Sequence, residues 1–129
     1  MKVVYISGQY GPKTEHNGVP KDWTSKEMQE AISDNIYVAR QFAIYLWEHG
    51  FAVICPHLNT AHMELDCMCE HEDYLTADFA IISRCDAVAM LPGWEESKGA
   101  RMEKMLAEAL GKEIWFLSWD GLKAQRGLL

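Results

Sequence analysis

Two carboxylates stand where helices should present apolar side chains. Glu103 lies at helical spacing from four apolar residues, Ala100, Leu106, Ala107 and Leu110. Asp78 interrupts a second apolar stripe, formed by Tyr74, Leu75, Ile81 and Ile82. A charge on such a face costs free energy unless it is paired or has a chemical task. Two inward-facing carboxylates on neighbouring helices therefore indicate acid–base or nucleophilic chemistry.

These residues also have plain structural interpretations. Glu103 could pair with Arg101 or Lys104 on the surface of its helix. Asp78 could be an exposed helix charge, and Tyr5 could be an aromatic residue at the rim of the core. For each of these residues the sequence is compatible with both the chemical and the structural interpretation.

The segment that leads into the Glu103 helix could bind an anion. Ser97, Lys98 and Gly99 place a hydroxyl, a cation and an unobstructed backbone at a helix N-terminus. Free N–H groups and the helix dipole favour negative charge there. The full P-loop pattern is absent, so the segment predicts a cradle for a single phosphate. The alternative is that Ser97 only caps the helix and that Lys98 is solvated.

Residues 55–71 are rich in cysteine and histidine but do not match a metal site. Cys67 and Cys69 are one residue apart, and no second close cysteine pair gives the spacing of a structural zinc site. We expect reduced thiols in a polar loop, with no metal and no cofactor.

The elements that must position these side chains alternate along the chain. Expected strands are apolar runs at residues 3–6, 51–55, 86–91 and 113–117. Expected helices cover residues from about 34 to 49, 71 to 84 and from Ser97 to Leu110. Residues 8–33 and 56–69 are expected to be loops, and the tail from Trp119 is not assigned.

Apolar strands without period-two alternation, linked by helices, predict a parallel sheet covered on both faces. We therefore expect an α/β fold, a small doubly wound sheet of four to five strands, in a single domain covering residues 1–129. Ligands bind beyond the carboxyl ends of the strands in such sheets. Here those ends are residues 7–10, 56–60 and 92–99.

Composition excludes some classes of partner. The net charge of −7 argues against a duplex nucleic acid, whose binding rests on Lys and Arg, but not against one small phosphate ligand. No apolar run approaches the roughly 20 residues of a membrane span. The chain opens directly on a strand pattern without the features of a signal peptide. We expect a cytoplasmic protein that does not associate with membranes.

The chain resembles the nucleoside 2-deoxyribosyltransferase family, which includes 2′-deoxynucleoside 5′-monophosphate N-glycosidases and CMP N-glycosidases. The resemblance runs from Val3 to about Phe116. It rests on three ordered motifs, which are Tyr5-Ile6-Ser7-Gly8, the segment from Asp78 to Asp86, and Ser97-x-Gly99-x3-Glu103.

This resemblance implies a role for each carboxylate. Glu103 matches the family's catalytic glutamate, which would attack the anomeric C1′ and form a glycosyl ester. Asp78 matches the second carboxylate, the implied general acid to the leaving base and then general base to the acceptor. Tyr5 matches a tyrosine that orients the glutamate. Asp86 is interpreted as structural.

Ser97 narrows the substrate class that the resemblance implies. Six residues before the glutamate, relatives acting on free nucleosides carry an aspartate, whereas monophosphate hydrolases carry a serine that binds the 5′-phosphate. This chain has Ser97, with Lys98 beside it. Ser7, Gly8 and Gln9 are further expected substrate-binding residues, although Gln9 stands where the hydrolases have a second serine.

We therefore expect hydrolysis of the N-glycosidic bond of a (deoxy)nucleoside 5′-monophosphate, with the base unspecified. One alternative is a transferase that exchanges bases on free deoxynucleosides. A second is a non-catalytic nucleotide-binding module on the same fold. The resemblance also implies a homodimer or a higher homo-oligomer, with sites near the subunit interfaces.

Overall fold

Four short apolar segments form an all-parallel sheet. The computed structural model describes residues 1–11, 23–66 and 71–125. The strands are β1 (Val3–Ser7), β2 (Ala52–Ile54), β3 (Ala87–Met90) and β4 (Glu113–Phe116). Their order across the sheet is β2-β1-β3-β4, and every neighbouring pair is parallel. The predicted small doubly wound α/β fold is confirmed.

Helices cover both faces of this sheet. They are α1 (Lys26–Glu48), α2 (Pro56–Asn59), α3 (His71–Ile82), α4 (Lys98–Ala109) and α5 (Trp119–Gln125). Single 3₁₀ turns occupy Met63–Leu65 and Trp94–Glu96. Helices α1 and α5 pack on one face, and α3 and α4 pack on the other. None of the described helices combines the length and the apolar character needed to cross a membrane.

The strands alternate between two buried faces, which explains why they read as continuous apolar runs. Ala87 and Ala89 of β3 face α1, whereas Val88 and Met90 face α4. Asp86, directly before β3, accepts a hydrogen bond from the backbone N–H of Val3 at 2.8 Å. This contact ties the start of β1 to the start of β3, so the structural interpretation of Asp86 is confirmed.

Helix α1 begins at Lys26, earlier than the expected start near Asp34, and this boundary was predicted wrongly. The Ser25 side chain caps the helix by accepting from the backbone N–H of Met28 at 3.2 Å. Met28 and Ile32 are buried, so the apolar face extends through the first turns. The first turns contain mostly polar residues, so the helical spacing of apolar residues is hard to recognise there in the sequence.

Other boundaries differ from expectation to a smaller degree. Pro56 starts the short helix α2 inside the segment expected to be irregular, as its fixed φ allows at a first helical position. Leu110 is 46% exposed at the end of α4 rather than part of the buried stripe. The unassigned tail forms α5, which buries Leu122. Cys67 and Cys69 lie outside the described residues.

Candidate active site

The candidate site lies beyond the carboxyl ends of β1 and β3. The chain runs from β1 outward to β2 and then returns to the other side of β1, so β1 and β3 form the switch point of the sheet. Such a point leaves a crevice for ligands. Tyr5 and Ser7, two residues apart on β1, share the face that packs against α4. Helix α4 brings Glu103 to them.

Both oxygens of the Glu103 carboxylate receive a hydroxyl hydrogen bond. The Tyr5 hydroxyl donates to Oε2 at 2.6 Å, and Ser7 Oγ donates to Oε1 at 2.7 Å. Glu103 is only 6% exposed. Hydrogen bonds to an ionised acceptor are short and strong, so these two donors hold the carboxylate in a fixed orientation.

No cation is paired with Glu103 among the ion pairs of the described residues. Arg101 instead donates to the backbone carbonyl of Glu95 at 2.6 Å, and Lys104 pairs with Glu108 on the exposed side of α4. The alternative of a surface ion pair for Glu103 is therefore wrong.

Burial makes Glu103 a weaker acid than an ordinary glutamate. Loss of solvent raises its pKa from 4.5 to about 7, and the nearby Asp78 charge adds to the rise. The hydrogen bonds from Ser7 and Tyr5 act in the opposite direction, but burial outweighs them. The carboxyl group therefore exchanges its proton close to neutral pH.

Asp78 lies on α3, which packs against α4, and it belongs to the same electrostatic group. Burial raises the pKa of Asp78 from 3.8 to about 6, opposed by an interaction with the Tyr5 hydroxyl. Burial and the charges of Glu103 and Asp78 hold the pKa of the Tyr5 phenol well above its usual range. Tyr5 therefore stays protonated as a donor that interacts with both carboxylates, so the structure brings the three predicted catalytic residues together.

Ser7 and Gly8, which were expected to bind substrate, both lie at the site, where each makes a close contact within the protein. Ser7 is 1% exposed and its hydroxyl donates to Glu103, so the structure places it behind the carboxylate. A Cβ at Gly8 would lie 2.6 Å from Cδ1 of Leu91 and 2.7 Å from its Cβ. Gly8 is therefore needed for close packing against the residue that follows β3.

Gln9 is held through its backbone by a residue that the sequence did not single out for this role. His57 Nε2 donates to the Gln9 carbonyl oxygen at 2.9 Å, because a carbonyl can only accept. The imidazole is 4% exposed, and burial lowers its pKa. The available signal was the position of His57 three residues after the end of β2, the neighbour of β1.

Ser97, Lys98 and Gly99 form the start of α4, as expected. Ser97 Oγ accepts from the backbone N–H of Ala100 at 3.2 Å, so Ser97 does cap the helix. A hydroxyl that accepts still has a proton to donate. Lys98 is exposed, and a Cβ at Gly99 would meet nothing closer than Ser97 Oγ at 4.0 Å. The space beside the Gly99 Cα is therefore open.

The polar groups at this site are carboxylates, hydroxyls and backbone groups. Across residues 1–11, 23–66 and 71–125, the structure contains no group of three or more His, Cys, Asp or Glu residues placed to hold a metal ion. The arrangement can transfer protons between Asp78, Tyr5 and Glu103, and it presents one oriented carboxylate for nucleophilic attack.

The chain belongs to the family described as a domain of unknown function (DUF4406), whose model matches residues 2–116. This range includes the whole sheet, helix α4 and every residue of the candidate site. No curated protein matches the chain. The family description names no activity.

Proposed function

We propose that this protein hydrolyses the N-glycosidic bond of a (deoxy)nucleoside 5′-monophosphate through a covalent ester of Glu103. One observation carries the proposal, which is that both oxygens of a buried carboxylate are oriented by the hydroxyls of Tyr5 and Ser7. A structural glutamate in the core would be expected to pair with a cation. This one is held by neutral donors instead, as a nucleophile requires.

In the first step, a Glu103 oxygen attacks C1′ of the sugar as the bond from C1′ to the base nitrogen breaks. The electron pair of that bond goes to the departing base, and the protonated Asp78 supplies the proton that neutralises it. The raised pKa of Asp78, about 6, supports this role, because an ordinary aspartate would hold no proton near neutral pH.

In the second step, water releases the sugar. Asp78, now ionised, accepts a proton from the water as its oxygen attacks C1′, and the ester bond to Glu103 breaks. The products are the free base and a (deoxy)ribose 5-phosphate, and both carboxyl groups return to their starting state. The Tyr5 and Ser7 hydroxyls stabilise the Glu103 carboxylate each time it carries charge.

The start of α4 supports a phosphate on the substrate. Ser97 keeps a proton to donate, Lys98 adds a positive charge, and the space at Gly99 is open. Glu103 lies six positions after Ser97, which is roughly 9 Å along the helix axis. One helix could thus hold the phosphate at its N-terminus and attack the sugar from its second turn. The resemblance to monophosphate hydrolases agrees with this assignment.

A panel of nucleoside 5′-monophosphates, assayed for free base and sugar 5-phosphate, tests the proposal. We expect release of base from at least one monophosphate, with no new nucleoside when a second free base is added. Formation of a new nucleoside from free deoxynucleosides would favour the transferase. Binding of nucleotide without release of base from any substrate would favour the non-catalytic module.

A further inference from the structure

The loop after β1 is held by two other parts of the chain. His57, in the short helix α2, donates to the carbonyl oxygen of Gln9 at 2.9 Å. Asn35 of α1 donates through Nδ2 to the carbonyl oxygen of Tyr10 at 2.8 Å. Two consecutive peptide groups of this loop are thus fixed by side chains from outside it.

The side chain of Tyr10 is fixed as well. Its hydroxyl accepts from the backbone N–H of His62 at 2.9 Å and donates to Glu64, with 2.8 Å to Oε2. Its ring lies against the ring of His57, with the centroids 5.8 Å apart. We call Asn35, His57, His62 and Glu64 the loop clamp.

The loop clamp is itself braced against α1. Gln29 Nε2 donates to Glu64 Oε1 at 3.2 Å, and Gln29 Oε1 lies 2.5 Å from His62 Nδ1. His62 also contacts Ser33 and has a left-handed backbone with φ of 57°. A non-glycine residue takes that conformation only where its surroundings hold it there.

The clamp determines where the amide groups of the loop point. The C=O and N–H of a trans peptide point in opposite directions, and the described residues contain no cis peptide. With the carbonyls of Gln9 and Tyr10 turned toward His57 and Asn35, the N–H groups of Tyr10 and Gly11 turn away from α1 and β2. The sheet order places β3 on the side of β1 opposite β2, and α4 covers the face opposite α1, so these N–H groups are expected to face β3 and α4. Successive N–H groups on one side of a loop favour an anion.

We propose that the loop clamp orients these two amide groups toward the 5′-phosphate of the substrate, opposite the start of α4. Asn35, His57, His62 and Glu64 are then positioning residues, which act through Gln9 and Tyr10 and do not touch the reacting atoms. This inference rests on the proposed function, because it assigns the phosphate of that same substrate to the loop.

Binding measured without turnover tests the clamp. In a Glu103→Ala background, Tyr10→Phe removes the hydroxyl that joins His62 and Glu64 but keeps the ring. We expect it to weaken binding of a nucleoside 5′-monophosphate about tenfold and binding of the matching free nucleoside less than twofold. Tyr37→Phe, at an exposed tyrosine of α1, is the matched control and should change neither dissociation constant.

A second pair of variants separates positioning from loss of folding. Glu64→Gln keeps an oxygen that accepts from Tyr10 and should bind the monophosphate as the parent does, whereas Glu64→Leu should behave like Tyr10→Phe. The clamp alone is refuted if a variant with the parent's unfolding temperature binds the monophosphate as tightly as the parent does. It is also refuted if such a variant loses equal affinity for the monophosphate and the nucleoside. If the Glu103→Ala parent, whose loop is unchanged, binds no nucleotide and wild type releases no base, the proposed function is refuted together with the clamp.

Discussion

The Tyr5 hydroxyl lies 2.6 Å from Oε2 of Glu103, although the two residues are 98 positions apart in the chain. One belongs to β1, an inner strand of the sheet, and the other to α4, which packs on one face of it. Ser7, on the same side of the same strand, binds the other oxygen. Two hydroxyls of β1 therefore orient a carboxylate that α4 carries.

Replacing Tyr5 with phenylalanine should slow catalysis and move its pH dependence. A hydrogen bond to a charged group contributes about 1.5–3 kcal/mol, so we expect kcat to fall by roughly 10- to 100-fold. The Tyr5 hydrogen bond lowers the pKa of both Glu103 and Asp78, so its loss should move both limbs of the rate profile to higher pH. Steady-state rates across pH measure both effects. Tyr37→Phe serves as control, and an unchanged kcat in Tyr5→Phe would refute the orienting role.

The pH profile of kcat/KM should be a bell with its maximum between pH 6 and 7. Attack requires ionised Glu103, and departure of the base requires protonated Asp78. Burial raises the pKa of Asp78 to about 6 and of Glu103 to about 7. Because the required acid, Asp78, has the lower of the two pKa values, only a minor fraction of the protein carries ionised Glu103 together with protonated Asp78, and this fraction is largest between pH 6 and 7.

The variant Asp78→Asn gives the control for this profile. It should lose most of the activity, and what remains should lack the alkaline limb, because no proton is lost from an amide. A wild-type maximum near pH 4, where ordinary carboxyl groups titrate, would contradict the burial argument.

Glu103→Gln should stabilise the fold at neutral and alkaline pH. The folded-state pKa of Glu103 lies above its unfolded value of 4.5, so wild type loses stability as the pH rises from 4.5 through about 7. A rise of that size corresponds to at most about 3 kcal/mol. Urea unfolding at several pH values measures it. We expect the variant to gain above pH 7 and the difference to disappear below about pH 4. An equal gain at both ends of this range would show that the charge is not its cause.

Two glycines of the site should respond in opposite ways to alanine. Gly8→Ala forces a Cβ into Leu91 and should cost about 1–3 kcal/mol of stability. Gly99→Ala places its Cβ in open space and should gain up to about 1 kcal/mol from helix propensity. It should nevertheless raise KM for a monophosphate, because the methyl group enters the proposed phosphate position. Thermal unfolding and KM distinguish the two effects. An unchanged KM in Gly99→Ala would show that the phosphate does not bind at that position.

The central features of the site could be read from periodicity. A carboxylate on an apolar stripe identified Glu103, and the apolar runs identified all four strands, because burial leaves a regular pattern in the chain. The start of α1 was missed because its first turns are mainly polar, so that only Met28 and Ile32 mark its buried face.

Contacts between distant elements could not be read in this way. The role of Ser7 depends on its facing Glu103 across the gap between sheet and helix, and no local pattern carries that register. The hydrogen bond from His57 to Gln9 likewise depends on β2 lying beside β1. Such pairings are set by strand order and packing, which periodicity within one segment does not specify.

Base release by wild type and by Glu103→Ala, measured side by side on nucleoside 5′-monophosphates near pH 6.5, tests the central claim most directly. We expect wild type to release free base and sugar 5-phosphate. The variant should be slower by at least about 10³-fold while it keeps its fold and binds nucleotide, because removal of a nucleophile leaves only binding and positioning. Turnover by Glu103→Ala within tenfold of wild type would contradict the assignment of Glu103 as the nucleophile.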